Sequence, residues 1–159
     1  MEDKVIFEVH PAPARRGLAL VFMIVLAFML IYTAITLETG FFYRVSLLVL
    51  DVVTMMGARS MARGTRGTVQ LKKSGLYLSD GTVLADIDNV EKVERGLFAF
   101  KPSNGFAVKL KSKQPGAFVP GMFWRIGKTV GVGGVLNAGA SKAMADMMAG
   151  ELTPYGADD

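Results

Sequence analysis

From Gly17 to Leu37 the chain reads GLALVFMIVLAFMLIYTAITL, twenty-one positions without a charge or a proline. As a helix this stretch rises about 31 Å at ~1.5 Å per residue, which matches a hydrocarbon core about 30 Å thick. Tyr32, Thr33 and Thr36 bring in polarity only at its C-terminal end, where a tyrosine suits an interface and a threonine hydroxyl can bond back to the preceding turn. Arg15 and Arg16 close the run on its other side. The pattern predicts a transmembrane helix. A cleaved leader fits less well: the apolar run is too long, Glu2, Asp3 and Glu8 precede it, and no small-x-small cleavage site follows.

A second apolar run, Phe41–Ala58, follows the short link 38–40. Arg44 and Asp51 interrupt it. Arg44 lies near the start, where it can snorkel beside Phe41, Phe42 and Tyr43, whereas Asp51 lies near the middle, where a carboxylate is costly. The run reads as a second spanning helix, with a surface-lying amphipathic helix as the alternative. Basic residues favour the hairpin. Lys4, Arg15 and Arg16 flank the first helix, and Arg59, Arg63 and Arg66 flank the second, while the connection carries only Glu38 and Arg44. The positive-inside rule then puts both termini in the cytoplasm.

From Thr68 the period changes to two. TVQLKK (68–73) and GLYLS (75–79) alternate, Asp80-Gly81 marks a tight turn, and Thr82–Leu84 continues a meander. Leu97–Lys101 and Gly105–Ser112 form a further hairpin about 102–105, with Phe106, Val108 and Leu110 on one face. Residues 85–95 fit helical spacing, or a short turn at 86–89 followed by a bulged strand; their place between strands favours the latter. Lys113–Pro120 reads as a loop, Gly121–Ile126 as an aromatic strand, and Thr129–Val135 as a glycine-rich strand. Asn137–Ala149 is helical in composition, capped by Asn137 or Ser141, ended by Gly150, and striped by Leu136, Ala140, Met144 and Met147 or Met148.

The expected fold is therefore an α+β membrane protein. A polar arm (1–16) leads into a transmembrane hairpin (17–58, helices 17–37 and 41–58). A basic linker (59–67), a small antiparallel β domain with a C-terminal amphipathic helix (68–150) and a flexible tail (151–159) follow. With Ser74–Tyr77, Asp80-Gly81, Asp86–Asp88 and the run from Phe123 through Gly133-Gly134 to Ala145, this order resembles the bacterial PH-like membrane proteins. The resemblance implies a PH-like barrel on an anchor in the bacterial inner membrane, and no common enzyme activity. It supplies no ligand.

Charge and composition narrow the chemistry. After Ala58 there are fourteen Lys and Arg against nine Asp and Glu, about +5, too sparse for a nucleic-acid footprint. There is no cysteine and one histidine, His10, so thiolate chemistry and histidine metal clusters are excluded. Gly127-Lys128-Thr129 fails as a phosphate loop because position 122 is Met122, and Gly131-x-Gly133 fails as a dinucleotide fingerprint at Leu136. The acidic run Asp86, Asp88, Glu91, Glu94 lacks the glycine of a calcium loop at position 91 and reads as a solvated face. No cofactor is expected.

Two candidate sites remain. Asp51, with Arg44 and Thr54, is an intramembrane contact: a docking point for another membrane protein, or a polar contact with Thr33 or Thr36. Lys72, Lys73, Lys109, Lys111, Lys113 and Trp124 form a candidate lipid or partner face, where each lysine near an anionic surface is worth about 1 kcal/mol. Phe118, Met122 and Phe123 could add an apolar contact, with at least two of these and Trp124 in the core. The expected role is a non-enzymatic accessory protein that associates with a larger membrane complex, or with its own copies, through the hairpin. The alternative is an anionic-lipid-recognising module.

Overall fold

The computed structural model describes residues 4–38, 40–94 and 102–152. The strand expected over Leu97–Lys101 and the tail from Thr153 lie outside them. The first element among the described residues is strand β1 (Val5–Val9), where a polar arm was expected. Two helices of 24 residues follow, α1 (Pro13–Thr36) and α2 (Phe41–Gly64). Both are long and apolar enough to cross a membrane. Pro13 sits in the first turn of α1, where its missing N–H has no intrahelical role. Helix α2 runs six residues beyond Ala58, so most of the expected basic linker is helix. Arginines end an apolar run but not a helix, since arginine is a strong helix former.

The helices pack through narrow faces. On α2 the buried positions are Asp51, Thr54, Ala58 and Met61, spaced three and four apart; on α1 they are Ala27 and Ala34. Small residues bring the backbones close, as in packed membrane helices. The Met23 side chain lies against Gly57, and the Arg16 guanidinium donates to the Ala62 carbonyl at 3.1 Å. These contacts fix an antiparallel pairing in which Asp51 comes level with Ala27. The faces turned away from the partner helix carry Phe22, Phe28, Ile35, Val49 and Val52, all exposed.

The rest forms two antiparallel sheets. The first joins β1 to β2 (Val69–Lys72), β3 (Gly75–Leu78) and β4 (Val83–Asp86), in that order. A 3-10 turn (Ile87–Asn89), whose Asp88 N–H donates to the Asp86 side chain, leads to β5 (Val90–Glu94). The register of β5 slips between Val90 and Lys92, so the turn-plus-bulged-strand reading of this stretch is the one the chain adopts. The second sheet runs β5, β6 (Phe106–Leu110), β9 (Thr129–Val132), β8 (Phe123–Ile126), β7 (Ala117–Val119). Strand β7 falls in the stretch expected to be a loop; two prolines confine it to three residues at a sheet edge, where a missing N–H is tolerated. Helix α3 (Ala138–Leu152) is capped by Asn137, whose side chain accepts from the Ala140 N–H. It continues through Gly150 rather than ending there. Leu71, Leu76, Leu84, Phe106, Val108, Val130, Leu136, Met144 and Met148 make one core shared by both sheets and α3.

The two halves of the molecule are interlocked. Strand β1 precedes the hairpin and pairs with β2, which follows it, so the first sheet closes around both ends of the helix pair. The Ala12 N–H donates to the Val135 carbonyl, Arg15 donates to the Leu136 carbonyl, and Pro11 bridges Leu136. Gly64 and Gly121 leave room for close contact: the Val119 side chain lies against Gly64, and Met61 and Thr65 lie against Gly121.

Candidate functional site

Asp51 is only 8% exposed and faces α1, not the outside of the hairpin. None of its expected partners reaches it. Thr54 donates its hydroxyl to the Leu50 carbonyl, Thr33 to Met29 and Thr36 to Tyr32. The last two sit more than a turn nearer the helix connection than Ala27. Arg44 is exposed on the first turn of α2 and makes no ion pair with Asp51. The Oδ1 atom of Asp51 is therefore buried without a hydrogen-bond partner among the described residues. A partner protein reaching Asp51 would have to part the two helices.

The structure divides the lysines. Lys72 lies in the first sheet, its Nζ 5.1 Å from the centre of the Tyr77 ring, and Lys73 is exposed in the adjoining turn. Lys109 lies in the second sheet opposite Lys92. Lys92 forms an ion pair with Glu94 at 2.8 Å, which raises the lysine pKa and lowers that of the glutamate. Lys111 donates its Nζ to the Asp88 carbonyl at 2.9 Å, and Lys113 is exposed. The five lysines thus lie on or beside strands of two different sheets, and Lys72 and Lys111 make contacts within the domain.

Trp124 sits on the outer face of the second sheet. Its indole lies flat over Gly131, where even a methyl group would collide with it. Phe118, its cross-strand partner, is 70% exposed, and Ile126 on the same face is 69% exposed. Met122 and Phe123 are buried, so two of the four residues singled out here are core. Arg125, on the opposite face of β8, ties the sheets together. Its guanidinium donates to the carbonyls of Val83 and Leu84 on β4 and to the Gln114 side chain, and its Nε donates to the Pro115 carbonyl. Sequence reading passed over Arg125, because a lone arginine in an aromatic strand gives no sign of carbonyls contributed from forty residues away.

Along α2 the outward face changes character. Val45, Leu48, Val49, Val52 and Val53 line an apolar furrow of about 300 Å³. One turn further on, Met56, Arg59, Ser60, Arg63 and Gly64 of the helix face Val119 of β7 across a groove of about 370 Å³. Arg59 and Arg63 are exposed and form no ion pair among the described residues. Their four-residue spacing on one helix face was legible only once α2 was known to extend past Ala58.

No metal-binding group of acidic and histidine side chains occurs among the described residues. Comparison with protein families, curated proteins and solved structures finds no match to this chain.

Proposed function

We propose that this chain is a non-enzymatic accessory protein of the bacterial inner membrane. It spans the bilayer twice with both termini cytoplasmic, and it associates with a larger membrane complex, or with its own copies, through the hairpin. The PH-like reading of the β domain belongs to the same proposal and draws on a core shared by two antiparallel sheets and a C-terminal helix.

One observation carries the reading: the pairing of β1 with β2 across the base of the helix pair. A domain on a flexible tether would sample the cytoplasm. A domain whose first strand enters before the hairpin and whose second leaves after it is held against the membrane face in one orientation. That arrangement suits a platform that presents a fixed surface, with Phe118, Trp124 and Ile126 as its contact face. The lysine-face alternative is less favoured, since the lysines are divided between two sheets and Lys72 and Lys111 make contacts with Tyr77 and the Asp88 carbonyl.

A photo-crosslinking amino acid placed at Ile35 or Phe28, on the outward side of α1, tests the role. The accessory reading expects a discrete protein adduct in native membranes. Lipid adducts alone from both positions contradict it.

A further inference from the structure

We propose that the outward face of α2 binds one anionic phospholipid of the cytoplasmic leaflet, with the headgroup phosphate between Arg59, Arg63 and Ser60 and an acyl chain along Met56, Val52 and Val49. The inference rests on the membrane-spanning reading proposed above.

Depth comes first. Arg59 lies eighteen residues after Phe41, the first residue of α2, which is about 27 Å along the helix. Arg63 lies about 6 Å further. With Phe41 at one edge of a hydrocarbon core about 30 Å thick, the two guanidinium groups straddle the other edge, where lipid phosphates reside. The Arg16 contact to Ala62 places the same boundary independently, because Arg16 ends the apolar run of α1.

Chemistry comes second. Arg59 and Arg63 stand one turn apart on the same face, exposed, with no acidic partner among the described residues. Two guanidinium forks at that spacing suit a phosphate, which accepts paired N–H donors, and Ser60 lines the same groove. The groove has a far wall, because Val119 closes it from β7. The site is therefore formed by the helix and the β domain together.

Shape comes third and selects a lipid over free phosphate. The apolar furrow lined by Val45, Val49 and Val52 continues the same helix face directly above the basic groove. From Val45 to Met56 the helix rises about 16 Å, close to the depth of one leaflet. A charged seat aligned with an apolar track of that length fits a molecule with a phosphate head and a hydrocarbon tail.

The test uses the full chain reconstituted in phosphatidylcholine bilayers containing a minor fraction of spin-labelled phosphatidylglycerol. Electron spin resonance then reports lipid immobilised at the protein. The native chain is expected to retain phosphatidylglycerol on the order of tenfold over phosphatidylcholine at low salt. Arg59→Gln with Arg63→Gln abolishes this selectivity, and Arg59→Lys with Arg63→Lys restores most of it. Lys109→Gln with Lys113→Gln removes the same charge elsewhere and leaves it unchanged. Equal loss in the lysine pair, retained selectivity in the arginine-to-glutamine pair, or displacement by millimolar inorganic phosphate overturns the proposal. Resistance to alkaline extraction, measured on each variant, reports membrane insertion separately, so loss of the lipid site and failure to span are distinguishable.

Discussion

At the scale of single residues, the buried groups without partners say most. Asp51 places a carboxylate opposite Ala27 about 15 Å into α2, the middle of the bilayer in the spanning arrangement proposed above, with one oxygen unpaired among the described residues. A buried acceptor in that condition costs roughly 1–3 kcal/mol. Asp51→Leu should therefore raise the thermal midpoint of the detergent-solubilised chain, by about 1 kcal/mol of stability or more, and leave membrane insertion intact. A lowered midpoint would show that Asp51 is satisfied within the hairpin. Glu8 is the opposite case. The Thr68 hydroxyl and the Gln70 amide donate to its carboxylate and hold its pKa below the ordinary 4.5. The folded state thus binds its proton less readily than the unfolded chain. The contribution is complete above about pH 4.5 and is lost as pH falls through the lowered value. Acid titration of stability should show a downturn beneath pH 4.5, shallower in Glu8→Gln. Part of the downturn should persist there, because Asp80, bonded to the Thr82 N–H, and Glu94, bonded to Lys92, are lowered in the same sense.

At the scale of elements, the fold depends on two ties between segments far apart in sequence. Arg125 spans from β8 to the carbonyls of β4. Arg125→Met should cost about 2 kcal/mol, read as an earlier denaturation midpoint with the fold retained. Strand β1 covers the edge of β2. Deleting residues 1–9 should leave both helices intact but make the β domain protease-sensitive, because Val69 and Leu71 lose the strand that shields them. These ties also mark where the sequence was opaque. Alternation in 68–84 and the apolar face of 106–110 announced their strands, since each has a polar and a buried side. Val5–Val9 did not, because the run is only five residues long before His10-Pro11 and its partner lies sixty or more positions on. Ala117–Val119 was hidden between prolines. The end of α2 was misplaced for a physical reason: hydropathy reports where lipid ends, and helix propensity reports where the helix ends. Asp51 was legible as an anomaly, but its orientation toward α1 depends on interhelical register, which no single segment encodes.

At the scale of the whole molecule, the hairpin and the β domain act as one body. Residues on both sides of the helix pair meet in one sheet, so both flanks of the hairpin lie together and the connection at Gly40 lies at the far end. If the helices span a membrane, Gly40 must emerge on the face opposite the domain. The native chain has no cysteine, so a single introduced thiol reports its own position without background. The decisive measurement labels Gly40→Cys and Lys113→Cys with a membrane-impermeant maleimide in sealed spheroplasts. Gly40→Cys is expected to react at once and Lys113→Cys only after permeabilisation. Labelling of both without permeabilisation, or of neither until the membrane is opened, would contradict the spanning hairpin.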